Sequence, residues 1–170
     1  MILTMYRFKR VYISWTKLNP YKFILITGFV AFLSKLWIVP ILYLFSMDEI
    51  GGVDFDLKGV VELVFLGIIF APIVETFLSQ YIPIVLFQKL LKRNANRVGI
   101  AVSVILFSLL HINYSIGYAI MVVPIGVILA LSFVIFEKRK ESSFWMTTFL
   151  HAFINMISLS FVIIEKLLAS

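Results

Sequence analysis

The sequence contains no cysteine. That absence excludes disulfides, thiolate metal sites and a cysteine nucleophile at once. Charge is also scarce: 14% of the 170 residues are Asp, Glu, Lys or Arg, against 62% that are apolar. Soluble domains average roughly 25% charged and 45–50% apolar residues. A soluble fold of this size has too little interior to hide so much apolar surface, and a bilayer supplies the second solvent it needs. The formal net charge of +6 does not point to nucleic acid, because the basic residues gather in short loops beside apolar runs. There is no HExxH, no ATP-binding motif, no internal repeat and no low-complexity stretch. The length suits one compact unit.

What is present is a succession of apolar runs. Residues 1–20 carry Arg7, Lys9, Arg10 and Lys17 among aromatics, the composition of a basic interfacial segment. Residues 21–170 read as a single transmembrane helical domain. Its first run, about 21–46, is longer than the 7–15 residues of a signal-peptide core and is expected to be retained as a span. An acidic loop with Asp48, Glu49, Asp54 and Asp56 follows. The next run, about 59–91, would measure ~50 Å as a straight helix, against ~30 Å of hydrocarbon. Pro72 predicts a break there, near Ala71, and Pro83 a kink. Further spans are expected at about 98–112, 117–136 and 144–168. The expected fold class is therefore all-α: a polytopic bundle of about five spanning helices, one broken at Pro72. The connections alternate between basic (Lys89–Arg97, Lys138–Lys140) and acidic or neutral (Asp48–Asp56, Asn113–Gly117). This places the N-terminus in the cytoplasm.

Ionisable side chains inside such runs are costly and by default indicate function. Lys35, Glu75, His111 and His151 qualify, with the amides Gln80 and Asn155 beside them. Glu62 and Glu165 lie near span ends and read as interfacial. His151 and Asn155 are four residues apart and share a helical face, as do Phe107 and His111. Counted from the nearest basic residue at 1.5 Å per residue, Glu75 and His111 each lie at ~21 Å, His151 at ~17 Å and Asn155 at ~22 Å. Three helices thus bring a carboxylate, both histidines of the chain and an amide to one depth. Separately, each has a plainer reading: Asn155 as an interhelical hydrogen-bond partner, Glu75 as the partner of Lys35, Lys35 as a snorkelling side chain and Phe107 as packing.

Together they suit hydrolysis. A carboxylate in apolar surroundings is disposed to general-base work near neutral pH, histidines orient water or a developing oxyanion, and an Asn amide is an oxyanion donor. Glu75, His111 and His151 also match a catalytic zinc ligand set by type. Two other classes remain open: a non-catalytic membrane partner such as an immunity or peptide-binding protein, and a proton or ion pathway through Glu75, Lys35 and the histidines.

At these residues the sequence resembles the CAAX prenyl protease and bacteriocin-processing family, also called the Abi family of intramembrane proteases. That family's first motif is a proline-containing lead-in followed by Glu-Glu-x-x-x-Arg; here it reads APIVETFLSQ, with Glu75 in the first glutamate position. Thr76 stands for the second glutamate and Gln80 for the arginine. The second motif, Phe-x-x-x-His, is present as Phe107 to His111, and the third, His-x-x-x-Asn, as His151 to Asn155. The resemblance covers roughly residues 61–157, within a catalytic core at about 59–168. It implies that Glu75 activates water with help from His111, and that His151 and Asn155 hold the carbonyl oxygen. Thr76, Gln80 and Phe107 would support them. It implies a glutamate mechanism that requires no cofactor, with zinc as the alternative, ligated by Glu75, His111 and His151. The implied partners are a peptide or protein substrate in the membrane and the lipid itself. The short, loop-poor chain reads as bacterial, in the plasma membrane, where relatives serve bacteriocin maturation or immunity. Losing the arginine removes a fixed charge and a fork of donors, while Gln80 keeps one donor and one acceptor at the same place.

Overall fold

The computed structural model describes residues 13–45 and 59–169. The basic stretch before residue 13, the acidic loop and the side chain of Glu165 lie outside what is described. Within it the chain is an all-α bundle. Helix α1 is Pro20–Leu44 and helix α2 occupies residues 60–90. Then come α3 (Ala95–Leu110), α4 (Ile116–Met121), α5 (Val123–Glu137) and α6 (Ser143–Ala169). Four stretches are long and apolar enough to cross a membrane: α1, α2, α4 with α5, and α6. The fifth expected span, α3, has 16 residues, or ~24 Å.

Local chemistry sets the helix ends. Asn19 caps α1 by accepting from the Tyr21 N–H at 3.0 Å, with Pro20 in the first turn. Ser115 caps α4 through the Tyr118 N–H at 2.8 Å. Asn94 adopts φ 59°, the left-handed conformation an Asn tolerates, and turns the chain from α2 into α3. At the basic end Gln88 Nε2 bridges Asn96 and Glu137 at 3.1 and 2.7 Å. Arg139 grips Glu141 through two nitrogens at 3.0 and 3.1 Å and reaches the Thr16 carbonyl at 3.4 Å. Those bonds gather the start of α1 and α3 and the end of α2 and α5 at one end of the bundle.

The bundle has its small core on α5, whose Leu129, Ala130, Phe133 and Phe136 are fully buried. Around it the outward faces are apolar, with Leu36, Phe70, Ile105, Leu109, Phe149 and Phe161 more than half exposed. That inversion fits contact with lipid. Where α2 crosses α3, a Cβ on Gly99 would lie 3.0 Å from the Ile84 Cα, so the small residue permits the approach of the two backbones.

The break expected at Pro72 takes another form. Helix α2 is continuous, but two stretches, Phe65–Phe70 and Thr76–Tyr81, are π-helical. Each is followed immediately by a proline-containing α-helical segment, Ala71–Glu75 and Ile82–Leu90. The widened turns absorb what proline would otherwise break. In the first, the Ala71 N–H bonds five residues back to the Leu66 carbonyl. The Gly67 carbonyl would next turn to residue 72, which has no N–H. It is satisfied from another helix: Asn155 Nδ2 donates to it at 2.9 Å. Pro83 is likewise absorbed by the second π stretch.

Candidate active site

Helix α2 carries Glu75 at the end of its Ala71–Glu75 segment, between the two π stretches. His111 lies in the turn that ends α3, and α6 carries His151 and Asn155 on one face. All four line one cavity of about 180 Å³. Glu75 Oε2 lies 3.6 Å from His111 Nε2 and 3.6 Å from His151 Nε2. Both separations exceed a direct hydrogen bond and leave the carboxylate poised between two imidazoles.

The rings are held from behind. Phe107, 1% exposed, has its ring centroid 4.8 Å from that of His111 and 5.5 Å from that of His151. The Phe107 carbonyl accepts from His111 Nδ1 at 2.8 Å. That bond places the proton of a neutral His111 on Nδ1 and leaves Nε2 as a lone pair facing Glu75. His151 differs. Its Nδ1 is buried with no hydrogen-bond partner, so the proton of its neutral form belongs on Nε2, the nitrogen that faces Glu75. The two histidines therefore present one acceptor and one donor to the same space.

Asn155 lines the cavity, but its amide nitrogen already donates to Gly67. One of its two N–H groups is spent on the helix and one remains. Thr76 and Gln80 are fully buried, and neither Thr76 Oγ1 nor the Gln80 amide has a partner. Ser103 Oγ and Thr147 Oγ1 are buried in the same unpaired state. The Glu75–Lys35 pair considered from the sequence does not form. Lys35 bonds Ser158 Oγ at 2.6 Å instead, and both line the cavity.

Tyr114 and Tyr118 do not stand out in the sequence as site residues, yet both line the cavity. Their rings pack on each other at 5.4 Å and on His111 at 6.2 and 5.6 Å, and they close one side of the cavity. Their four-residue spacing within an otherwise neutral turn is the signal that could have found them. Ser158, seven residues beyond His151 on the same face, carried a similar signal. Glu75, His111 and His151 meet around Glu75 Oε2 and have the side-chain types of a zinc site, but among the described residues no three His, Asp or Glu side chains are arranged as a metal-ligand set.

A protein-family model, described as Type II CAAX prenyl endopeptidase Rce1-like, matches residues 57–157. Comparison with curated proteins and with solved structures gave no match.

Proposed function

The chain belongs to the Rce1-like family of type II CAAX prenyl endopeptidases, and from that premise we propose that it hydrolyses a peptide bond within the membrane by glutamate-activated water. The observation that carries the proposal is the position of Glu75 Oε2, 3.6 Å from each imidazole Nε2 at the cavity wall. A water there gives one hydrogen to Glu75, while His111 Nε2 accepts from the other. As the water oxygen attacks the scissile carbonyl carbon, Glu75 takes its proton. The carbonyl oxygen becomes an oxyanion and receives hydrogen bonds from His151 Nε2–H and the second N–H of Asn155. Collapse of the tetrahedral intermediate breaks the C–N bond, and Glu75 returns its proton to the leaving amine nitrogen. Phe107 fixes the angle between the imidazoles, and Thr76 and Gln80 support α2 behind Glu75. The proposed setting is a bacterial plasma membrane with the basic end of the bundle in the cytoplasm. The substrate is a membrane-associated peptide, with bacteriocin maturation or immunity as the context.

The proposal includes no obligate metal. Peptide cleavage by purified protein in liposomes should persist after exhaustive treatment with a strong chelator. Loss of cleavage on chelation, its return with zinc, and loss of bound metal when either His111 or His151 is replaced would establish the zinc alternative.

The packing behind the histidines makes a second expectation. A Cβ at Gly126 would approach Phe107 Cδ1 to 3.0 Å. Gly126→Leu should push Phe107 against both imidazoles and lower kcat by ~10–10²-fold, the scale expected when reacting groups move by about 1 Å. Gly126 does not line the cavity, so unchanged kcat in a folded variant would show that Phe107 does not position the rings.

A further inference from the structure

Behind the imidazoles lies a set of polar atoms to which the mechanism gives no bonds. Thr76 Oγ1, both ends of the Gln80 amide, Ser103 Oγ, Thr147 Oγ1 and His151 Nδ1 are all buried without a hydrogen-bond partner. Thr76, Gln80, Ser103 and Thr147 are fully buried, and His151 nearly so. The three hydroxyls differ from others in the bundle. Ser79, Thr148, Ser158 and Ser160 each donate to the carbonyl four residues back in their own helix. Thr76, Ser103 and Thr147 make no such bond, which leaves their hydroxyls for a partner between the helices. Their positions agree. Ser103 lies four residues before Phe107, whose ring packs on His151, and Thr147 lies four residues before His151 itself. Thr76 follows Glu75 directly, and Gln80 lies four residues further. Helices α3 and α6 start from the basic end and α2 runs towards it, so Gln80, Ser103 and Thr147 all sit about one helical turn from the catalytic layer, on the same side of it. The π stretch Thr76–Tyr81 packs against both α3 and α6. One turn further the layer is closed, where Gly99 lets α3 approach the backbone of the fully buried Ile84.

Buried polar atoms that cannot reach one another are commonly satisfied by enclosed water, each molecule making about three hydrogen bonds. The chemistry of this set suits water. It mixes donors, the hydroxyls and the Gln80 amide nitrogen, with the acceptors Gln80 Oε1 and His151 Nδ1. A cation would use only the oxygens and leave the Gln80 N–H groups unpaired. We propose that Thr76, Gln80, Ser103 and Thr147 hold about two enclosed water molecules, one of which donates to His151 Nδ1. This rests on the proteolytic reading above and deepens it, since there His151 Nε2–H binds the oxyanion. A hydrogen bond accepted at Nδ1 keeps the proton on Nε2 and polarises the ring, so that Nε2–H becomes the stronger donor. Thr147 and Ser103, which belong to none of the three motifs, are then positioning residues that act on His151 through water.

The test uses the full chain with isotope-labelled histidine in phosphatidylcholine vesicles, read by solid-state NMR. The chain has two histidines. His111 Nδ1 holds its proton towards the Phe107 carbonyl, so the unprotonated Nδ1 in the spectrum is that of His151. Magnetisation transfer from water protons to that nitrogen is expected in the wild type. Thr147→Val keeps the shape of the side chain and removes its hydroxyl. It should abolish or weaken the transfer and lower kcat by ~10-fold with KM little changed, less than the ~10²–10³-fold that follows outright loss of an oxyanion donor. The thermal midpoint should fall by ~2–4 °C. Thr147→Ser keeps a hydroxyl and should retain both the transfer and kcat. The sign of the thermal shift separates the cases, because a buried hydroxyl with no partner costs stability and valine in its place would raise the midpoint. A raised midpoint, no transfer to Nδ1 in the wild type, or transfer undiminished in Thr147→Val would overturn the assignment. If Thr147→Val does not fold, the wild-type spectrum and Ser103→Ala, read in the same way, decide it. The spectra require no cleavage. A chain that cuts no peptide would refute the proteolytic reading and leave the water site to be decided by the transfer, whereas an active chain without transfer would refute the water site alone.

Discussion

Glu75→Gln is expected to lower peptide cleavage by ~10²–10⁴-fold, the usual contribution of a general base, with helix content and thermal midpoint preserved. The amide is nearly isosteric with the carboxylate but cannot take a proton from water. Loss of fold is not expected, because Glu75 Oε2 has no hydrogen-bond partner in the structure and makes no direct bond to either imidazole. Single-turnover rates in liposomes, with circular dichroism on the same samples, measure both parts. Unchanged cleavage by the Glu75→Gln variant would remove Glu75 from the chemistry and favour a water activated elsewhere. Glu75→Asp is the informative partner. It keeps the base but shortens the side chain by one methylene, so its kcat should fall between those of Glu75→Gln and the wild type.

The layer of Glu75, His111 and His151 is legible in the sequence for a physical reason. In a chain with 14% charged residues, an ionisable group inside an apolar run stands out, and helical rise turns sequence position into depth. The i, i+4 spacing then identifies shared faces, and His111 does bond back to the Phe107 carbonyl four residues earlier. What spacing does not show is how α2 accommodates its prolines. The expectation of a break at Pro72 follows from the missing N–H, but a widened turn relieves the same clash without ending the helix. Whether a π turn forms depends on a partner for the freed carbonyl, and that partner, Asn155, is 88 residues away. The Lys35–Ser158 bond, 123 residues apart, is illegible for the same reason. The sequence places Lys35 at membrane depth but does not identify its partner. Depth is a local property of each run, whereas pairing is decided by which helices pack together.

Asn155 is the residue on which the two kinds of role meet, and a pair of substitutions separates them. Asn155→Ala removes an oxyanion donor, which costs ~10²–10³-fold in kcat when such a donor acts in the transition state. It also orphans the Gly67 carbonyl, and an unsatisfied buried polar group costs ~1–3 kcal/mol of stability. Activity loss alone therefore cannot say which role matters. Pro72→Ala restores an N–H at residue 72, one π-type bond beyond Gly67, and gives that carbonyl a partner within its own helix. In the double variant, Pro72→Ala with Asn155→Ala, the thermal midpoint should recover most of what Asn155→Ala lost. Cleavage should stay down by ~10²-fold or more if the amide binds the oxyanion. Because the two residues share one carbonyl, their stability effects should be non-additive, whereas their effects on kcat should not compensate. Recovery of cleavage together with stability would show that Asn155 serves only to hold α2 in its π turn. In that case the oxyanion would depend on His151 alone, and His151→Ala would carry the whole of that loss.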